Sequence, residues 1–509
     1  MPVGADGQHY ISGDHLMTFE QQDRTEQQRL AALNARVRQD LSYLNYPAAN
    51  WSKPVSTSEG QRASDVVIIG GGMCGLVAWH ALTRAGIANI RIVDRAAKGE
   101  EGPWVTYARM ETLRSPKNLL GPALGMASLT FRAWYTTRFG EEAWEELFRI
   151  PRPMWMEYLG WYRQVMEIPV ENNIHVTRVL PRPDGLLELE IEGGKADPIV
   201  TRKLVMATGR DGLGEPTIPD FVKGMQRHVS WAHSADMIDF QRLKGKRVVV
   251  IGVGASAVDN AAEALEQGAG EVRLLARRKT MPTINKLMGI GSYGVTAGFA
   301  KIDPEWRWRL MDYSVKQQTP APHNSTLRVS RHPNAYFHFD CGIQSMKEEG
   351  GEVVITTING RVFRTDFVIL GTGFSIDPVS RPELDMFNGQ IACWEDRYTP
   401  PAGEENPGLG RFPWLQDDFS FTEKEPGAAP WLRHIHCFNY GSSVSLGKVS
   451  GDIPAISEGA LWLARGIAAS LFIADIDHHW EALKAYEKPE LDGSEWTDAD
   501  ADPTMQKTA

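Results

Sequence analysis

The sequence predicts an α/β protein built on two doubly wound parallel sheets, the second inserted into the first. Three observations predict it. Glycine-rich turns recur about 180 residues apart, in VVIIGGGMCG near residue 70 and VVVIGVGASA near residue 252. Each follows a short apolar run and opens a stretch with apolar residues at helical spacing, as a strand-turn-helix unit does. Two later apolar runs, Leu204 to Ala207 and Phe367 to Leu370, each lead into a threonine-glycine turn.

The first turn carries Gly70, Gly72 and Gly75 in the order GxGxxG, between the apolar run Val66 to Ile69 and a helix beginning near Leu76. In such a turn one glycine allows the tight bend, a second admits a pyrophosphate to the backbone, and a third lets helix and strand pack closely. The helix N-terminus then offers unpaired amides to the phosphates. A second strand, Ile90 to Val93, ends in Asp94, 24 residues beyond Gly70, the spacing at which a carboxylate meets adenosine ribose hydroxyls.

The second turn holds Gly252 and Gly254, then Ser256 and Ala257, so a small residue stands at the third glycine position. The strand that follows, Glu271 to Ala276, ends in Arg277, Arg278 and Lys279 where an NADH site would carry an acid. A guanidinium fork suits a phosphate monoester, so this unit is expected to take NADPH. Two nucleotides in one chain imply electron transfer between them.

Thr208 with Gly209, and Gly371 to Gly373, resemble the ATG turns at which two-nucleotide proteins cross between units. The expected plan is therefore two Rossmann-like dinucleotide-binding domains. An FAD domain runs over 61–215 and 366–480, and an NADP domain over 216–365 is inserted between its halves. Residues 1–60 form a helical extension: Thr18 and Gln21 have capping-box spacing, and Leu30, Leu33, Val37, Leu41 and Leu44 make one apolar stripe ending before Pro47. That stripe is expected against the main body or another subunit, which leaves a homo-oligomer open. The segment Gly459 to Ile476 is read as a packed helix and no membrane span, and 487–509 as an acidic mobile tail.

Composition narrows the function. The chain has 509 residues, is 42% hydrophobic and carries a net charge of −10, which argues against a general nucleic-acid surface. It opens without the basic start and apolar run of a secretory signal. Its four cysteines, Cys74, Cys341, Cys393 and Cys437, form no close pair, so a thiol relay is disfavoured and a reduced, cytoplasmic compartment is expected. No metal site is expected.

With these motifs the chain resembles the class B flavoprotein monooxygenases, the group of flavin-containing and Baeyer-Villiger monooxygenases and lysine and ornithine N-hydroxylases. The resemblance covers about residues 60 to 475. Gly102 and Trp104 in GPW resemble the GxW near the flavin, and Arg109 follows as a further cofactor contact. Phe221, Gly224, His228 and Trp231 resemble the linker FxGxxxHxxxW with both aromatics displaced by one, which implies that His228 moves with coenzyme binding. Residues 110 to 135 are similar to the N-hydroxylase segment lining the flavin face. Lys117 stands at the position of its lysine, with Asn118 beside it and Arg114 near.

The resemblance implies that NADPH reduces FAD and that reduced flavin forms a C4a-(hydro)peroxyflavin with dioxygen. One oxygen atom would pass to a small organic substrate. Arg114, Lys117, Asn118 and His228 are the candidate catalytic residues, and Arg114 or Lys117 would bias the intermediate electrostatically. The N-hydroxylase-like segment favours amine N-hydroxylation over S-oxidation or Baeyer-Villiger oxidation. The polar turn Asn439, Gly441, Ser442 and Ser443, before a helix near Ile456, is a further candidate contact. A flavin-dependent NADPH oxidase or reductase without oxygen transfer, and a non-catalytic redox-sensing nucleotide-binding protein, share the same glycine turns and stay as alternatives.

Overall fold

The computed structural model describes residues 19–194, 197–210 and 212–498. Strand β1 (Ser64–Ile69) enters the first glycine turn and α-helix Met73–Arg84 leaves it. Strands β2 (Ile90–Asp94), β3 (Val170–Asn172), β4 (His175–Pro181), β5 (Leu187–Glu192) and β6 (Ile199–Met206) complete most of the first sheet, in the order β3-β2-β1-β6-β5-β4. β1 pairs parallel with β2 and β6, and antiparallel β4 and β5 extend the edge.

From β6 the chain crosses through β7 (Gly214–Pro216) into a second body containing β8 (Trp231–His233), β9 (Arg247–Ile251), β10 (Glu271–Leu275) and β11 (Ala335–His338). A small antiparallel sheet follows, β12 (Ile343–Glu349), β13 (Glu352–Thr357) and β14 (Val362–Thr365). Strand β15 (Phe367–Leu370) then completes a five-stranded parallel sheet in the order β11-β10-β9-β15-β8. The chain returns through β16 (Phe374–Ile376), which pairs with β7, and β17 (Ile435–His436) rejoins β6.

The position of β15 corrects the expected boundary at 366. Phe367 to Leu370 were assigned to the first unit, yet they lie between β9 and β8 in the second sheet. Alternation explains why. Ile369 joins Val248, Val250 and Leu274 on the face covered by helix Ala255–Glu266, while Val368 and Leu370 join Val249 and Ile251 on the face covered by Val353 and Ile355. A strand apolar on both sides needs a covered central position.

The N-terminal helix spans Phe19–Tyr43, so Thr18, read as its cap, lies outside the described residues. Leu33, Val37 and Leu41 are buried in the main core, whereas Leu44 is exposed. Polar ties fix the helix to the same body: Arg138 meets Glu26 at 2.5 Å and Trp161 Nε1 donates to Asn34 Oδ1 at 2.8 Å. The C-terminal helix Ile456–Ala474 buries Ala460, Leu463, Ala464 and Ile467 and packs against helix Met73–Arg84. It is long and apolar enough to cross a membrane, with 44% of its apolar window buried in this fold.

That helix also closes over a buried charge. Lys203 of β6 is 2% exposed, donates to Ser470 Oγ at 2.6 Å and meets His434 Nδ1 at 2.8 Å. Burial pushes its ammonium down to about 8. Folding thus penalises the charged form, and between about 8 and the ordinary value of 10.5 the unfolded chain binds more protons. Stability should rise with pH across that window, on the order of 3 kcal/mol from this group. Lys203→Met is expected to lack the increment, measured as the pH dependence of Tm from pH 7 to 10.5 beside the parent.

Candidate active site

The two glycine turns lie at the carboxyl ends of β1 and β9, where open α/β sheets bind their ligands. Close approach dictates the first. A Cβ on Gly75 would stand 1.8 Å from the Gly70 carbonyl oxygen, so helix and turn can meet only without a side chain. Gly72 is different. It begins helix Met73–Arg84 with no side-chain cap, and a Cβ there would meet nothing nearer than 3.9 Å, at the Gly102 nitrogen. Uncapped amides beside open space make a cradle that fits a pyrophosphate.

Asp94 closes the cradle's base. It is 9% exposed, and its two oxygens accept from the amides of Gly71 and Ala96, both at 2.7 Å. Each oxygen keeps a lone pair for a ribose hydroxyl. Opposite, the Gly102 and Trp104 loop rests on Glu101, a residue the sequence reading missed. Glu101 is 4% exposed and binds Arg163 Nη1 and Asn172 Nδ2, each at 2.7 Å. Its only sequence signal was adjacency to GPW. Trp104 meets Trp155 edge-on at 6.3 Å.

Thr208 and Gly209 form the other wall. Asn439, fully buried, donates to the Met206 carbonyl at 3.1 Å and to Thr208 Oγ1 at 3.2 Å, and accepts from Gly441 at 2.9 Å. The Cys74 thiol, in the first turn of helix Met73–Arg84, donates to the Ser450 carbonyl at 3.2 Å. Segment 439–450 is thereby tied both to the end of β6 and to the first turn of helix Met73–Arg84.

In the second cradle Gly254 begins helix Ala255–Glu266, again uncapped, and its nearest neighbour would be Gln318 Nε2 at 3.7 Å. Ala257 replaces the third glycine because Gly371 makes room: a Cβ on Gly371 would lie 2.4 Å from that of Ala257. Ser256 is exposed in the first helical turn. Arg277 is exposed and, among the described residues, has no hydrogen bond or ion pair, whereas Arg278 donates to the Lys316 carbonyl at 2.7 Å. The free fork is the one able to meet a 2′-phosphate. Gly373 ties the crossing strands, accepting from the Thr217 amide at 2.9 Å and facing His233 Nε2 at 3.1 Å.

Other predicted residues fall elsewhere. Arg109 lines a cavity of about 320 Å³ between the units, with its guanidinium over the Phe240 ring at 5.4 Å. Arg114 reaches across the units to the Pro320 carbonyl at 2.8 Å. Lys117 was expected to face the flavin; its ammonium instead meets the Trp144 and Glu145 carbonyls, at the end of helix Phe131–Glu146. Carbonyls left unpaired at a helix C-terminus attract a cation, which is why it turns there. Asn118 is exposed. His228 sits in the turn before β8, 60% exposed at its side chain, with Nδ1 3.8 Å from Asp236. These four are not brought into one cluster.

The cysteines are all free. Burial pushes the thiols of Cys74 and Cys393 up to about 12, which leaves them protonated and poor nucleophiles.

Two cradles without a thiol pair define a flavoprotein in which a nicotinamide coenzyme reduces a bound flavin. Residues 67–289 match the family model described as pyridine nucleotide-disulphide oxidoreductase. The FAD-dependent urate hydroxylase of Xanthomonas campestris pv. campestris is 35% identical over 465 residues, covering 91% of this chain and 98% of that protein. The chain belongs to this family of FAD-dependent hydroxylases. Reduced ornithine hydroxylase from Pseudomonas aeruginosa is similar in fold at a TM-score of 0.62 and 14% identity, covering 80% of this chain and 100% of that one. Kutzneria sp. 744 ornithine N-hydroxylase, solved with reduced FAD, NADP+ and L-ornithine, gives 0.61 and 15%, covering 80% and 99%. The protein is a flavin monooxygenase that uses FAD and NADPH.

Two variants test the cradles. Gly72→Leu should fill the open space and abolish FAD uptake, read as loss of flavin absorbance in the purified protein. Arg277→Ala should raise KM for NADPH by about tenfold or more while leaving KM for NADH within twofold, since one charge-assisted phosphate contact is lost.

Proposed function

We propose that this enzyme hydroxylates urate or a closely similar acidic purine, using NADPH and dioxygen. One oxygen atom would enter the ring as hydroxyl, the other would leave as water, and NADPH would become NADP+. Bound FAD supplies the reductive activation of dioxygen. The observation that carries this reading is the extent of the likeness to the urate hydroxylase, which runs across both cradles and the polar turn 439–450.

Residues of this chain support the chemistry around the cofactors. Gly72 and the uncapped amides of helix Met73–Arg84 would hold the FAD pyrophosphate, and Asp94 its ribose. Gly254, Ser256 and Arg277 would hold NADPH. Trp104, Trp155 and the buried turn at Asn439 would keep water from the reacting centre, limiting loss of reducing equivalents as hydrogen peroxide. Amine N-hydroxylation is the second reading, favoured by the likeness of residues 110 to 135 to the N-hydroxylases. Its lysine counterpart, Lys117, is already engaged by helix carbonyls.

The deciding experiment follows NADPH and oxygen consumption by the FAD-loaded enzyme with urate, ornithine, lysine, a sulfide and a ketone. Urate is expected to accelerate NADPH oxidation at least about tenfold, with loss of urate absorbance matching NADPH consumed. Hydroxylamine formed from ornithine or lysine, with urate inert, would select the amine reading. Peroxide equal to NADPH for every compound would select an oxidase.

A further inference from the structure

Most buried or half-buried arginines in this molecule are matched by carboxylates: Arg163 by Glu101, Arg202 by Asp65 and Asp475, Arg247 by Asp366 and Glu352, and Arg328 by Glu266. Near the cradles three further arginines, half-buried Arg149 and exposed Arg114 and Arg210, have no ion pair among the described residues. They also lie together: Arg149 donates to the Arg114 carbonyl, and Arg114 sits in the field of both Arg149 and Arg210. The acid in that field is Asp452, and it is 3.8 Å from Lys448. The carboxylate that Arg114 feels is thus itself shared with Lys448.

Its location is as telling as its charge. Arg210 directly follows Gly209 on the wall of the first cradle, and its guanidinium lies 4.6 Å from the centroid of the Tyr440 ring. Tyr440 is itself fixed, donating its amide to the Gly209 carbonyl at 3.2 Å and meeting Phe412 edge-on at 6.1 Å. Arg114 bonds Pro320, two residues beyond the Gln318 that overlies Gly254 in the second cradle. The cluster therefore runs from the Gly209 wall of the first cradle to the Pro320 loop beside the second.

We propose that Arg210, its guanidinium over the Tyr440 ring and Arg114 nearby, is the specificity-determining anchor for a planar, anionic heteroaromatic substrate. The proposal rests on the reading of an acidic purine as substrate and names the side chain that selects it. Stacking pre-orients the guanidinium plane, so little rotamer freedom is lost on binding. Its remaining N–H edge can donate to adjacent oxygen and nitrogen atoms of an anionic ring, a geometry lysine lacks. The neighbouring cations disfavour an alkylammonium substrate, because like charges brought together repel.

Steady-state kinetics on FAD-loaded parent, Arg210→Ala and Arg210→Lys, matched for flavin content, test the anchor. Arg210→Ala should raise KM for urate about 10- to 100-fold with kcat within threefold, and Arg210→Lys should recover only part of that loss. Parent KM should rise with salt more steeply than that of Arg210→Ala. An unchanged KM in Arg210→Ala, with urate turned over normally, would overturn the anchor and leave the proposed reaction standing. If the parent does not hydroxylate urate, the reaction reading fails, and the anchor is judged from urate titrations of the flavin absorbance. Binding by the parent that weakens at least tenfold in Arg210→Ala would sustain it. No binding, or equal binding, would overturn it as well.

Discussion

The structure depends on backbone meeting backbone at the carboxyl ends of two parallel sheets. At Gly75 the approach leaves no room for a single carbon atom, with the Gly70 carbonyl 1.8 Å from where it would stand. That contact sets the height of the helix on the sheet, and the helix height sets where its uncapped amides point. The second unit solves the same problem with different residues. It keeps Ala257 on the helix and removes the Cβ from the facing strand end at Gly371. Each solution leaves one glycine, Gly72 or Gly254, where an added Cβ would meet its neighbours no closer than 3.7 Å.

Charge placement follows a second logic. Arginines that hold elements together are saturated by acids: Arg202 binds Asp65 of β1 and Asp475 at the end of the C-terminal helix, tying sheet to cover. Burying such a group unpaired would be costly, so the pairing is a condition of its burial. Arginines at the cradle mouths are left unsaturated or lean on carbonyls and rings. Arg277, Arg114 and Arg210 differ from Arg202 in this respect, and all three are exposed where a ligand's charge could reach them.

Local electrostatics redirected one expectation. Lys117, expected at the flavin face from the resemblance, has its ammonium against the carbonyls that end helix Phe131–Glu146. His228 likewise lies in an exposed turn of the second unit. A motif read along the chain gives residue type and spacing, and the direction of a side chain depends on what folds against it.

The sequence alone determined the two strand-turn-helix units, because glycine spacing and apolar runs are local properties. The expectation of NADPH was equally local, since it rested on Arg277 at a strand end a short distance beyond Gly252. The packed C-terminal helix was legible as well, from its apolar residues interrupted by Arg465. What only the tertiary structure decided were matters of long-range pairing. Phe367 to Leu370 read the same in either sheet, and their place beside β9 is set by which faces needed covering. Glu101 under the Trp104 loop and Arg210 against Tyr440 join residues about 70 and 230 positions apart, and no period or spacing encodes such a meeting.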